Sequence, residues 1–555
     1  MNFNNISISI SNKKYSNIYV ATIFILYFFA GLSIVKDFGL SIDEPFHRTN
    51  GYYWYLNIVK KFSSDYELIN LLKNKLENMH WAKEMANGQY LQYGVFFDVL
   101  STAIEEFLRI DKTRDAFIVK HSLTFIIFFI SSIFFYNIIL ERFKNKQFSI
   151  LITFFYVTSP RIFAESFYNC KDIVFMSFCV YSLYFCLKSL DKIKVINIVF
   201  FALFAALATD IRIMGILLFC MYLIFLIINS LEEKYYLRKN YKFFLILFFL
   251  YPLFVFLFWP YLWDDPVQNF IFAFKSFSNY GWGAHVLYLG EFVKSNNLPW
   301  HYIPVWVIVS SPVIFLIFFF IGFLKTFTLF FNNFINTSET NNLWSDINEK
   351  KDFFVIFFFL MPIILVVLLN STLYGGWRHV YFIYPCFVYL IGIGLNFISN
   401  LKFRIFYKKM LSAFIFCALA FNIYNLIKFH PYQNIYFNIL VEKKANKLFE
   451  IDYWGLGNLR ALNYIEKNKK EDNLVTVRTA SFTPLNYSSL MMGNKNKKLF
   501  LINGTVDLNQ DFIFTNYIYE NDPRYEKKYF ISNNYDKFYT LKKGNVIINE
   551  IYKKK

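Results

Sequence analysis

The sequence predicts a polytopic α-helical membrane protein of about eleven spanning helices, followed by a small α/β domain outside the bilayer. Three observations predict it. Apolar runs of about 15 to 25 residues recur along most of the chain, which is the signature of spanning helices. Of the 555 residues, 56% are hydrophobic and only 17% charged, too apolar a balance for a soluble chain of this length. The net charge of +18 would suggest nucleic acid in a soluble protein, but here the basic residues sit mostly in short loops between apolar runs, where they set orientation in a membrane.

Spans are expected at about 18–35, 117–139, 149–158, 173–187, 195–209, 213–229, 243–260, 302–323, 353–370, 380–398 and 411–428. The clusters Lys13-Lys14, Arg142-Lys144-Lys146, Lys188-Lys192-Lys194, Arg238-Lys239-Lys242, Lys350-Lys351 and Arg404-Lys408-Lys409 alternate with the remaining loops. All fall on one side, which the positive-inside rule makes cytoplasmic. The first run has no small-residue cleavage site after it and is expected to stay as an anchor. The N-terminus is then cytoplasmic. The loop of about 80 residues after the first span, the 160–172 and 261–301 loops and the C-terminal tail lie outside. Some spans are short: 15 residues rise only about 22 Å against a hydrocarbon core of roughly 30 Å. The stretches around Arg161 to Asp172 and Asp210 to Arg212 should therefore dip below the outer surface, where irregular backbone is tolerated only against protein or a cavity.

From about residue 430 the character changes. A helix is expected at 458–468, and short strands at 474–480, 498–503 and 511–519, with a hairpin around Lys542-Lys543-Gly544-Asn545. Residues 1–428 thus form a transmembrane module, with 36–116 as its first extracytoplasmic loop, and 429–555 an extracytoplasmic α/β domain. The six cysteines show neither a disulfide framework nor metal spacing. No Walker A or dinucleotide fingerprint occurs.

Four polar clusters interrupt this apolar background, and ionisable residues at membrane depth are functional candidates by default. Ser41-Ile-Asp43-Glu44 follows the first span; its adjacent carboxylates suit a general base or a cation ligand, while Ser41-x-x-Glu44 also reads as a capping box. Arg161, Glu165, Lys171 and Asp172 crowd the second, either as a site or as an ion network fixing a re-entrant loop. Asp210-Ile-Arg212 joins two spans directly, as a site or as an ion pair closing a hairpin. Gly375-Gly376-Trp377-Arg378-His379 offers a phosphate-binding arginine beside glycines that permit close approach, or else a snorkelling arginine. In the tail, IDYWGLGNLR at 451–460 reads as an acceptor or partner surface or, preferably, as the N-terminus of a helix with Asp452 or Asn458 near its cap.

The acidic pair after the first span, the long first loop before closely spaced spans and the soluble domain after the last span resemble a GT-C fold glycosyltransferase of the protein O-mannosyltransferase-like branch (glycosyltransferase family 39-like). The segments PRIFAESFYNCKDIVFMSF, ATDIRIMG, HPYQNIYFN and DYWGLGNLRAL are similar to stretches in bacterial members. The resemblance implies an enzyme of the bacterial plasma membrane that transfers a hexose or pentose from a polyprenyl-phosphate carrier to an acceptor hydroxyl outside the cytoplasm, with inversion. The acceptor, on protein, lipid or polysaccharide, is left open. Asp43 would be the base with Glu44 as its alternate; Lys171, Arg212, Arg378 and His379, with Arg161 in reserve, would bind the donor phosphate. Asp172 would orient Lys171 or hold a divalent cation (Mg, Mn or Zn) with Asp43. No nucleotide or nucleic acid is implied. Two other readings stand beside this one. One is a transporter or flippase of a lipid-linked or anionic substrate, against which the one-sided charges and the lack of repeated halves count. The other is a non-catalytic assembly component.

Overall fold

The computed structural model describes all residues except 1–12, 234, 279, 337–343, 403, 470–473, 494–498, 504–509 and 520–521. The first span, α1 (Lys13–Ile34), leads into four loop helices: α2 (Glu44–Phe62), α3 (Tyr66–Glu77), α4 (Ala82–Ala86) and α5 (Phe96–Phe107). The bundle continues through α6 (Thr113–Phe143), α7 (Lys146–Thr158), α8 (Pro160–Tyr168), α9 (Asp172–Asp191), α10 (Val195–Ile211), α11 (Ile216–Glu232) and α12 (Tyr236–Phe258). A second outer segment carries α13 (Pro266–Ser278) and the hairpin β1 (His285–Tyr288) and β2 (Glu291–Lys294). Then come α14 (Tyr302–Ser310), α15 (Val313–Ile335), α16 (Ile347–Leu368), α17 (Tyr384–Asn400) and α18 (Ile405–Phe429).

Among the described residues, 9 helices are long and apolar enough to cross a membrane. The other two runs read as spans are shorter helices, α7 with 13 residues and α10 with 17. One boundary is corrected. The run at 302–323 is not a single span: Ser311 is extended and Pro312, lacking an N–H, separates α14 from α15, so the spanning helix is Val313–Ile335. α9 and α17 are the buried centre of the bundle. α15 crosses α17 at Gly322 and Gly394, where a Cβ on either would overlap the other helix's backbone. One end of the bundle is tied by Arg142, which donates two 2.7 Å bonds to Asp352, and by Lys350 with Glu232 at 3.1 Å. The polar residues near Asp43 lie at the opposite end of α6, where Lys120 and His121 are buried.

Beyond α18, residues 430–457 run back over this second end to α19 (Asn458–Asn468) and a sheet of β3 (Val475–Thr479), β4 (Leu499–Asn503), β5 (Phe512–Thr515), β6 (Tyr535–Lys543) and β7 (Val546–Lys554). The strand order is β4-β3-β5-β7-β6. β3 pairs parallel with β4 and β5, and β7 antiparallel with β5 and β6. Ala461, Leu462 and Ile465, at helical spacing on α19, bury against Val477, Phe512 and Phe514 of the sheet.

Candidate active site

The segment Ser41 to Glu44 turns the chain into α2 and sends its two carboxylates apart. Glu44 is fully buried: one oxygen accepts the Ser41 backbone N–H at 2.7 Å, and the other lies 2.7 Å from His121 Nε2. This is the backward reach of a capping box, and it keeps Glu44 away from the exposed surface. The reading of Glu44 as an alternate base is corrected on that ground. Asp43 points outward. Its side chain is 38% exposed and pairs at 3.0 Å with Nη1 of Arg378, itself 4% exposed.

Arg378 follows a turn that needs its glycines, because Gly375 (φ 65°) and Gly376 (φ 77°) both adopt left-handed backbone. The Trp377 indole N–H donates to Ser310 at 2.9 Å and pins the turn to α14. The guanidinium stacks 4.7 Å from the Tyr374 ring, 5.0 Å from Tyr453 and 4.6 Å from Trp454, so it sits inside an aromatic sleeve. Its Nη1 also faces Asp172 at 3.5 Å.

The break between α8 and α9 is organised by Asn169. Its carbonyl oxygen accepts the backbone N–H of Asp172 at 2.8 Å, and its amide donates to Glu165 at 2.8 Å and Asp172 at 3.1 Å. Asp172 is thereby aimed at Arg212, with which it forms an ion pair. Asp210 does not pair with Arg212 across the turn: it accepts the N–H groups of Val95 at 3.2 Å and Phe96 at 2.9 Å and holds the start of α5. Lys171 lies 4.2 Å over the Tyr93 ring. Burial, then the nearby Arg212, pushes its ammonium down to about 7.

Asp43, Asp172, Arg212 and Arg378 are thus one ion-pair cluster, with Lys171 beside it. Three cations face two carboxylates. Arg212 Nε, Arg378 Nε and His379 Nδ1 are buried and have no hydrogen-bond partner within the chain. Arg161 packs beside the Gly376 turn, its guanidinium 5.3 Å from Trp306 and 5.7 Å from Phe437, and its Nε and Nη2 are likewise buried without a hydrogen-bond partner within the chain. A divalent cation bridging Asp43 and Asp172 does not fit this arrangement, because the Arg378 guanidinium already takes the bridging position.

Several residues here were missed from the sequence. Asp98 is buried and bonded to His47 Nδ1 at 2.9 Å, Lys120 at 3.0 Å and Asn50 at 3.0 Å. Burial alone would raise its pKa, but Lys120 and His47 hold it well below the ordinary carboxylate range. The available signal was the helical spacing of Asp43, His47 and Asn50, which puts them on one face of the α2 turn. Tyr453 and Trp454 lie in the stretch 451–460, which the sequence marks without pointing to a contact with Arg378. Asp452 beside them accepts the N–H groups of Leu456 at 3.2 Å and Gly457 at 2.8 Å just before α19, as a capping residue would.

Residues 115–259, which run from α6 through α12 and carry Lys171, Asp172 and Arg212, match the family model described as dolichyl-phosphate-mannose-protein mannosyltransferase. Among solved structures, ArnT from Cupriavidus metallidurans bound to undecaprenyl phosphate is 9% identical, with 96% of this chain and 97% of that chain covered and a TM-score of 0.43. The same protein in the apo state is also 9% identical over 96% and 97% of the two chains, with a TM-score of 0.45. No curated protein matches.

Proposed function

We propose, taking the mannosyltransferase-like stretch at 115–259 as premise, that this chain is a GT-C membrane glycosyltransferase. It moves a sugar from a polyprenyl-phosphate donor to an acceptor hydroxyl at the extracytoplasmic face of a bacterial plasma membrane. One observation carries the reading: buried Arg378 and half-buried Arg212 keep enclosed Nε groups with no hydrogen-bond partner within the chain, and half-buried Lys171 lies beside them. Buried donors are nearly always satisfied in proteins, so such a set suits an anionic oxygen ligand such as a phosphate.

The donor phosphate is held by Lys171, Arg212 and Arg378, with His379 behind them. As the glycosidic C–O bond breaks, negative charge grows on the departing phosphate oxygen, and fixed cations at that oxygen stabilise it. A phosphate is a good leaving group, so a single carboxylate base is enough. Asp43 takes the acceptor hydroxyl proton while that oxygen attacks the anomeric carbon from the face opposite the phosphate, which inverts the centre. Arg378 positions Asp43, holding its carboxylate at 3.0 Å beside the phosphate-binding cations.

The test is transfer of labelled sugar from polyprenyl phosphate by the purified full-length protein, wild type against Asp43→Asn. Proton removal by a placed base contributes about 10²- to 10⁴-fold. Asp43→Asn is expected to lose at least that hundredfold while still binding polyprenyl phosphate. Full transfer by this variant removes Asp43 from the role.

A further inference from the structure

Beside Asp43 a wall of aromatic rings is assembled from three distant parts of the chain. Phe46 lies one helical turn after Asp43, hence on the same side of α2. Its ring centroid is 5.9 Å from Trp81, 5.8 Å from Tyr90 and 5.2 Å from Tyr93. Trp81 and Tyr90 are 5.7 Å apart, and the planes of Phe46, Trp81 and Tyr90 stand at 85° to 89° to one another. All four rings are half-buried, so each keeps a face or an edge open. The wall ends at Tyr93, under the Lys171 ammonium. From the C-terminal domain, Tyr487 closes the rim: its ring centroid lies 5.4 Å from that of His80, next to Trp81, and it feels the charges of Asp43 and Glu84.

Two of these residues have left-handed backbone, Trp81 at φ 73° and Tyr90 at φ 63°. Glycine or asparagine is the ordinary occupant of that region, and a bulky side chain there is uncommon. Such strain persists where the surroundings impose it, and it gathers at ligand sites. Neither ring is in the deep core, so hydrophobic burial is a weak reason for placing bulk at these two positions. A ring that a ligand needs is a better one.

We infer that this wall is an acceptor subsite for a pyranose ring, so that the hydroxyl presented to Asp43 belongs to a glycan. The inference rests on the glycosyl-transfer reading for Asp43 but makes a separate claim. A pyranose has one face of C–H groups, whose partial positive charge suits the negative face of an aromatic ring. Its hydroxyls lie around the edge, where Asp43, Glu84 and the Tyr487 hydroxyl can meet them. An extended peptide fits less well: its backbone N–H and C=O groups would lie against ring faces that do not pair with them.

The experiment uses the full-length protein in detergent with mixed hexose and N-acetylhexosamine pentasaccharides and, separately, a Ser/Thr heptapeptide. Saturation-transfer NMR reads contact with each. Trp81→Gly and Tyr90→Gly remove the rings yet suit the left-handed backbone. The expected result is saturation of the pyranose C–H protons in wild type, weakened about tenfold in affinity by each variant, with polyprenyl-phosphate affinity unchanged. A pentasaccharide that fails to bind, variants that bind it as wild type does, or preferential saturation of the peptide would each overturn the subsite. Pentasaccharide binding without any turnover of labelled donor would instead overturn the glycosyl-transfer reading and leave a glycan-binding wall.

Discussion

At the scale of single residues, Asp43 and Glu44 show how adjacent carboxylates acquire different roles. Glu44 is completely enclosed with two partners, so Glu44→Gln leaves one oxygen where two carboxylate oxygens served Ser41 N–H and His121. This variant is expected to lose about 1–3 kcal/mol of stability, seen as a lower melting temperature in detergent, with acceptor KM unchanged. A kcat loss as deep as that of Asp43→Asn with unaltered melting would return Glu44 to the chemistry. Lys171 gives a pH prediction. Its folded-state value of about 7 lies below its ordinary 10.5, so the folded chain holds this proton less tightly than the unfolded chain. Stability from this group therefore rises with pH across that window and is lost as pH falls through about 7. The ammonium fraction falls progressively as pH rises through about 7, so polyprenyl-phosphate affinity should drop as pH climbs from about 6 to about 9. Lys171→Arg, charged throughout, should flatten that profile, and an unchanged slope in the arginine variant would assign the effect to another group.

At the scale of elements, the feature that matters is the interruption between α8 and α9. Apolar runs too short to cross a bilayer placed Arg161 to Asp172 at membrane depth from the sequence alone, and the structure has a short helix, a break and a new helix there. What the sequence did not disclose is that Asn169 organises the break, since a lone asparagine in a loop carries no periodicity. Asn169→Ala removes four hydrogen bonds and leaves Glu165 and Asp172 poorly satisfied. A loss of about 2–4 kcal/mol is expected, together with weaker polyprenyl-phosphate binding. Asn169→Asp should be worse, because it sets a third carboxylate beside the other two. If melting temperature and binding both hold in the aspartate variant, the capping account is wrong. The 302–323 run shows the opposite case: its hydropathy was plain, but the break at Pro312 splits it, and proline is a steric signal that a hydropathy window averages away.

At the scale of the molecule, the spans and the strand-rich tail were legible because hydrophobic periodicity is local. The candidate site was legible only in part. Asp43, Asp172, Arg212 and Arg378 announced themselves as charges in apolar surroundings. Tyr374 did not, and Tyr453 and Trp454 did so only as part of DYWGLGNLRAL, because aromatic residues make up 22% of the chain and no spacing marks which of them will meet a cation. Those rings join the tail to the bundle at the site itself, where Ile42 also donates its N–H to the Trp454 carbonyl at 3.0 Å. Removal of residues 430–555 should therefore abolish transfer even when the remaining helices insert, as followed by membrane fractionation alongside the labelled-donor assay. Normal turnover by such a truncation would make the aromatic sleeve dispensable.

The sleeve also bears on biosynthesis. Arg378 is translated before Tyr453 and Trp454, and during that interval its charge has only Asp43, Asp172 and the Tyr374 ring for company. The nascent bundle therefore carries an incompletely covered cation at this end until the last part of the chain folds over it. The cluster around Arg378 is then complete only once the whole chain has been made.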